Sequence, residues 1–155
     1  MPRKFLVVVD DSPEFKAALR FACRRARSTG GHVVLLRVLP SNSDAHWSGA
    51  REEIERQQRE EAETLLNRLG EEVLERAGAP PVFLIEQGDV QGAIKKVVSA
   101  DPDIKILVLA ASPGSRGPGP LVSAIIKQGA QVGGRKLPVT IVPGELTEDE
   151  IEDLA

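Results

Sequence analysis

Two short segments hold the side chains best suited to chemistry. Asp10-Asp11-Ser12 follows the apolar run 5–9 (FLVVV), and Gly114-Ser115-Arg116-Gly117-Pro118-Gly119 follows the run 104–110 (IKILVLA). A carboxylate pair invites an acid–base role, but adjacent residues at a strand end point in different directions, so a shared proton is not expected. One of the two can bond a ribose hydroxyl or cap the helix that follows. The glycine-rich segment can turn backbone N–H groups toward a phosphate, with Arg116 adding a charge-assisted contact. It can equally be a plain surface connection, because glycine and proline are common in any loop. It is not a Walker A motif, which needs Gly-Lys-Ser/Thr, nor a dinucleotide fingerprint, whose glycines follow the first strand.

The remaining reactive residues offer less. Cys23 is the one cysteine, which excludes an intrachain disulfide and a cysteine-cluster zinc site. Beside Arg24 and Arg25 it can be read as an activated thiolate, although filling a helix surface or core is the ordinary role. His32 and His46 are too far apart for the usual metal spacings, and no Ser-His-Asp set can be assembled. Arg20, Arg24 and Arg27 line one helix face; a solvated face is the plain reading, a phosphate or acidic partner the sharper one. With one Trp, four Phe and no Tyr, the stacking side chains of a nucleic-acid binder are missing. Catalysis finds no positive support.

These segments need elements to hold them. The chain has 155 residues and 16.7 kDa, enough for one domain with a substantial core. The run 5–9 is continuous and β-branched, as in a strand buried on both faces. Ser12-Pro13 then reads as an N-cap and first helical residue, and Phe15, Ala18, Leu19, Ala22 and Ala26 recur at helical spacing until Gly30-Gly31. Segments 32–39, 82–85, 104–110 and 138–142 supply four more strands. Helices are expected over 51–77, from Gly88-Asp89 to about residue 100, and over 121–132. The first turns of the charged helix carry only Ile54 as an apolar residue and should project into solvent or contact a partner. Strict alternation of strand and helix predicts an α/β domain: a five-stranded parallel open sheet with helices on both faces. Residues 1–144 form that domain. Residues 145–155 form an acidic tail with six acids and no base, capped by Thr147 and Glu150, within a net charge of −3. No segment approaches a membrane span or signal peptide, so a cytoplasmic protein with neither membrane nor nucleic acid as partner is expected.

In this order the segments resemble the universal stress protein (UspA-like) family over about residues 3–144. FLVVVDDSPEFKAALRFA is similar to that family's first strand, Asp-x-Ser turn and first helix, and HVVLLRVLP to its second strand. IEQGDVQGAIKKVV, DIKILVLAAS and LPVTIVPG resemble the third, fourth and last strands with their flanking turns. The resemblance implies an adenine nucleotide alpha hydrolase-like, Rossmann-like fold and a cytoplasmic homodimer paired through the last strand, here Val139, Thr140, Ile141 and Val142. It also implies ATP or AMP as the candidate cofactor, with Val9 and Val38 at adenine, Asp10 at ribose and Gly114, Ser115, Arg116 and Gly117 at the phosphates. ATP-binding members carry Gly-x2-Gly-x9-Gly-Ser/Thr. Counted from Gly114, the last pair here is Lys127-Gln128; counted from Ala111, it is Ala124-Ile125. The motif is degenerate in either register. The expected function is therefore a dimeric stress-response and protein-interaction module with weak or no ATP binding. A nucleotide-binding signalling module is the alternative, and an enzyme acting on a phosphate compound a third.

Overall fold

The computed structural model describes residues 2–41, 48–114, 116–128, 131–132 and 134–155. Five parallel strands form one sheet: β1 (Lys4–Val9), β2 (His32–Leu39), β3 (Val82–Gln87), β4 (Ile104–Ala111) and β7 (Val139–Pro143), in the order β3-β2-β1-β4-β7. The helices α1 (Phe15–Thr29), α2 (Ser48–Ala77), α3 (Val90–Ala100) and α4 (Pro120–Gln128) connect them, and α5 (Glu148–Leu154) follows β7.

The continuous apolar runs have the expected cause. Along β1, Phe5, Val7 and Val9 pack with α1 and α2, while Leu6 and Val8 pack with α3 and α4. Both faces of the central strands are thus covered, and alternation of apolar with polar residues disappears. On α2, Ala62, Leu66, Leu69 and Val73 form a buried apolar stripe. The first turns of α2 are exposed, with Ile54 on the surface. α2 runs unbroken through Gly70, where the Phe83 ring of β3 lies so close that a Cβ would come within 2.6 Å of it.

Two local expectations are corrected. α1 begins at Phe15 with Glu14 at its N-cap, not at Ser12-Pro13. The Ser12 hydroxyl donates to Asp10 at 2.6 Å, and it is the Ser12 backbone carbonyl that accepts from the Phe15 N–H at 3.3 Å. The fourth crossover helix stops at Gln128 rather than continuing to residue 132. It gives way to a small antiparallel pair, β5 (Gln131–Val132) with β6 (Arg135–Lys136). Arg135 anchors that pair by donating to the carbonyls of Val98 (3.0 Å) and Asp101 (2.8 Å) at the end of α3, where a helix presents unpaired acceptors. The tail forms the short helix expected, with the Thr147–Glu150 capping box in place, and its Ile151 is buried in the α1/α2 core.

Candidate functional site

The chain builds β1, β2 and β3 outward in one direction, then crosses back to place β4 and β7 on the other side of β1. Strand order therefore reverses between β1 and β4, and their carboxyl ends diverge into a crevice, the usual ligand position in open α/β sheets. A cavity of about 280 Å³ occupies that point. Val8, Val108, Leu109 and Ala110 floor it, Phe15 and Ala18 of α1 wall one side, and residues 118–122 at the start of α4 wall the other. Its polar rim is Asp10, Ser12 and Glu14 on the β1–α1 connection.

Asp10 Oδ1 accepts from the Ser12 backbone N–H at 3.0 Å and from the Ser12 hydroxyl at 2.6 Å. This Asx turn stops β1 and fixes the carboxylate at the mouth of the crevice. Asp11 faces elsewhere, its Oδ2 lying 3.7 Å from Nη2 of Arg37. The two carboxylates thus have separate partners. Arg37 also donates from Nη1 to the Val9 carbonyl at 3.0 Å, tying the end of β1 to β2.

The other sequence candidates surround this crevice rather than line it. The Val9 side chain is buried in the α1/α2 core, whereas Val38 is half-buried on the opposite face of the sheet. Gly114, Arg116 and Gly117 are exposed on the β4–α4 loop, and Ser115 lies outside the described residues. The loop is built on glycine: Gly114, Gly117 and Gly119 have φ of 108°, 93° and 103°, a region other residues avoid. The Ser112 N–H donates to the Pro118 carbonyl at 2.9 Å and closes its base. Sequence reasoning missed Phe15, Ala18, Leu121 and Val122 as cavity walls, because apolar residues at helical spacing read simply as core. It also missed Arg37, although a single charge inside the run HVVLLRVL was a visible signal.

Two further readings are settled. Cys23 is buried, and burial pushes its thiol up to about 12, with Glu72 raising it further and Arg76 opposing. The arginines flanking it in sequence do not activate it. The arginine face of α1 is not merely solvated: Arg20 pairs with Glu148 (3.3 Å) and Arg24 with Glu152 (3.1 Å), both on α5. The last strand, β7, is a sheet edge bonded to β4 on one side; Val142 is buried, Val139 and Thr140 are half-buried and Ile141 is exposed. Among the described residues, no helix is long and apolar enough to cross a membrane.

The universal stress protein family model matches residues 1–125. No curated protein sequence is a significant match. Solved structures share the fold. The universal stress protein UspA from Lactobacillus plantarum superposes with a TM-score of 0.72 at 18% identity, covering 90% of this chain and 97% of that one. A universal stress family protein from Arabidopsis thaliana, solved with AMP bound, gives 0.60 at 22% identity over 92% of each chain. A universal stress protein solved in complex with cAMP gives 0.63 at 11% identity, over 93% of this chain and 98% of that one. With most of its length matched by the family model, this chain belongs to the universal stress protein family.

Proposed function

We propose that the chain is a non-catalytic, cytoplasmic stress-response module that works by binding proteins, pairs as a homodimer along β7, and holds adenine nucleotide weakly or not at all. The observation that carries this reading is the state of α4. Where ATP-binding relatives of the resemblance carry Gly-Ser/Thr, this chain has Ala124-Ile125 or Lys127-Gln128, and Ile125 is packed into the core. A β-branched side chain covers backbone that a glycine would leave open to a phosphate. The crevice is also small: about 280 Å³, under the roughly 300–1,000 Å³ of most small-molecule sites. Its apolar floor and the two carboxylates on its rim, Asp10 and Glu14, suit a nucleoside better than a triphosphate. Val139, Thr140, Ile141 and Val142 on the open edge of β7 are the residues that would pair two copies, since an unpaired strand edge is a template for another strand.

A second reading rests on a specific observation. Asp10 stands at the crevice mouth, and two structural relatives were solved with AMP and with cAMP. In that reading Asp10 holds a ribose hydroxyl, Val9 and Val38 lie by adenine, and residues 114–117 cradle phosphate in a nucleotide signalling module.

Thermal melting with added nucleotide separates the two. A Kd near 1 mM adds about 0.4 kcal/mol at equal ligand concentration, or roughly 1 °C for a chain of this size. A Kd a hundred times tighter adds about 2.7 kcal/mol, or roughly 5–10 °C. The first result is expected for 1 mM ATP; the second would overturn the weak-binding reading. Sedimentation at micromolar concentration tests the pairing, and a monomer would remove β7 from it.

A further inference from the structure

The polar side chains around the crevice offer acceptors and almost no donors. Asp10, Ser12 and Glu14 are the polar residues of its wall, and among the described residues no base lines it. The Ser12 hydroxyl is already spent as a donor to Asp10 at 2.6 Å. The opening of α4 adds little, because Pro118 and Pro120 have no N–H and leave Gly119 as the one donor between them. Arg37, at this end of the sheet, is held by Asp11 (3.7 Å) and by the Val9 carbonyl (3.0 Å). Arg116 is exposed on the β4–α4 loop and is not part of the wall.

Both carboxylates are available to a ligand. Asp10 uses Oδ1 for its turn, which leaves Oδ2. Glu14 is half-buried, and among the described residues its side chain has no hydrogen bond or ion pair. It does not cap α1: the Phe15 and Ala17 N–H groups go to the backbone carbonyls of Ser12 (3.3 Å) and Glu14 (3.1 Å). The chain after β7 presses Glu14 from behind. Gly144 donates to the Ala111 carbonyl at 2.9 Å, and a Cβ on it would lie 2.5 Å from that of Glu14. A carboxylate partly removed from water beside apolar surface, with no partner, costs free energy that a cation would recover.

We propose that the crevice is a site for a small organic cation, an amine with a ring-sized apolar body. The body rests on Val8, Phe15, Ala18 and Val122, and the ammonium lies at the rim formed by Asp10 and Glu14. The same two charges repel a phosphate. The inference rests on the weak-nucleotide reading above and names what the crevice takes in place of a nucleotide.

The test is calorimetric titration of the full chain with 2-phenylethylamine, 2-phenylethanol and phenylacetate, which share a body and differ in charge. The amine should bind about tenfold tighter than the alcohol, and phenylacetate should bind weakest. Glu14→Gln and Asp10→Asn should each cut the amine's advantage several-fold, the Asn retaining the acceptor that the Ser12 turn uses. Added salt should weaken the amine and leave the alcohol unchanged. Ala18→Leu fills the crevice and should abolish binding of all three; Leu121→Phe, on the half-buried part of the wall, repeats that check if Ala18→Leu does not fold. Melting curves establish which variants are folded. The proposal is overturned if the amine does not bind at millimolar concentration, if phenylacetate binds as well, or if folded crevice-filling variants still bind the amine, which would place it on surface acids. An amine series without preference while ATP stays weak overturns this proposal alone, whereas a tight ATP complex overturns the nucleotide reading beneath it.

Discussion

Replacing Ile151 with alanine measures what holds α5 in place. Ile151 is 3% exposed and is the one buried residue of that helix. The substitution removes three carbons, worth about 2.4 kcal/mol at ~0.8 kcal/mol for each. In a closed core a cavity term would raise this within the ~2–5 kcal/mol range of buried Ile→Ala changes. Here the site borders a groove open to water, so the lower figure applies. The ion pairs of α5 cannot compensate, because their acidic partners are more than half exposed and water screens them. A loss of about 2.4 kcal/mol multiplies the opening constant of α5 roughly 50-fold. Hydrogen exchange followed by mass spectrometry is the assay. Two reporters are the Ile151 amide, bonded to the Thr147 carbonyl at 3.0 Å, and the Ala155 amide, bonded to the Ile151 carbonyl at 2.9 Å. Their exchange should accelerate by about that factor while amides of β1 change far less. Unchanged exchange in residues 148–155 would refute the docked helix. An equal acceleration in β1 would refute its independence from the rest of the fold.

Further outcomes follow from other sites. Cys23, buried and with its thiol raised to about 12, should resist a thiol reagent at pH 8 in the native protein and react at once in denaturant; ready native labelling would contradict its burial. Asp101 is held below the usual carboxylate range. Burial alone would raise it, but the Lys4 ammonium at 2.7 Å, the Asp103 amide and the Arg135 charge outweigh that. Its folded value lies below its unfolded one, so its stabilisation is complete above about pH 4 and is lost as pH falls through the folded value. Asp101→Asn should therefore flatten the acid limb of the stability curve, and an unaltered limb would count against this. Arg135→Ala removes two charge-assisted bonds to carbonyls at the end of α3 and should cost about 2 kcal/mol in urea melts, with a loss under 0.5 kcal/mol as the contrary result.

Much of this architecture was legible because its signals are local and repeated. The run FLVVV can only be covered on both faces, and strand–helix alternation then forces parallel crossovers. The capping box at Thr147 and the start of α3 at Gly88-Asp89 were equally plain; the structure adds that Asp89 caps the helix, accepting from the Gly92 N–H at 3.0 Å. What escaped depends on competition between partners. Ser12-Pro13 reads as a helix start, but the Asx turn at Asp10 holds Ser12 ahead of the helix, and composition does not show that turn. The sequence reads residues 131–132 of β5 as the end of a helix, although Gly133-Gly134 between short polar–apolar flanks is also a hairpin signal. The crevice was placed by topology, since a switch point follows from the crossover order. Its walls were not, because Phe15 and Val122 look the same in sequence whether they face a core or a cavity. The pairing of α5 with Arg20 and Arg24 was out of reach, since it joins residues more than 120 positions apart by charges exposed enough to be satisfied by water.

The central claim, a stress-family crevice that no longer grips ATP, is tested most directly by calorimetric titration of nucleotide-stripped protein with ATP, AMP serving as the comparison. The account predicts an ATP Kd weaker than about 100 μM, that is, less favourable than about −5.5 kcal/mol, with AMP bound no worse than ATP because the triphosphate gains nothing at α4. Whatever binding remains should fall further on Asp10→Ala. A tighter ATP complex that is lost on Gly114→Val would contradict the account, since it would show the glycine loop gripping phosphate without the final Gly-Ser/Thr.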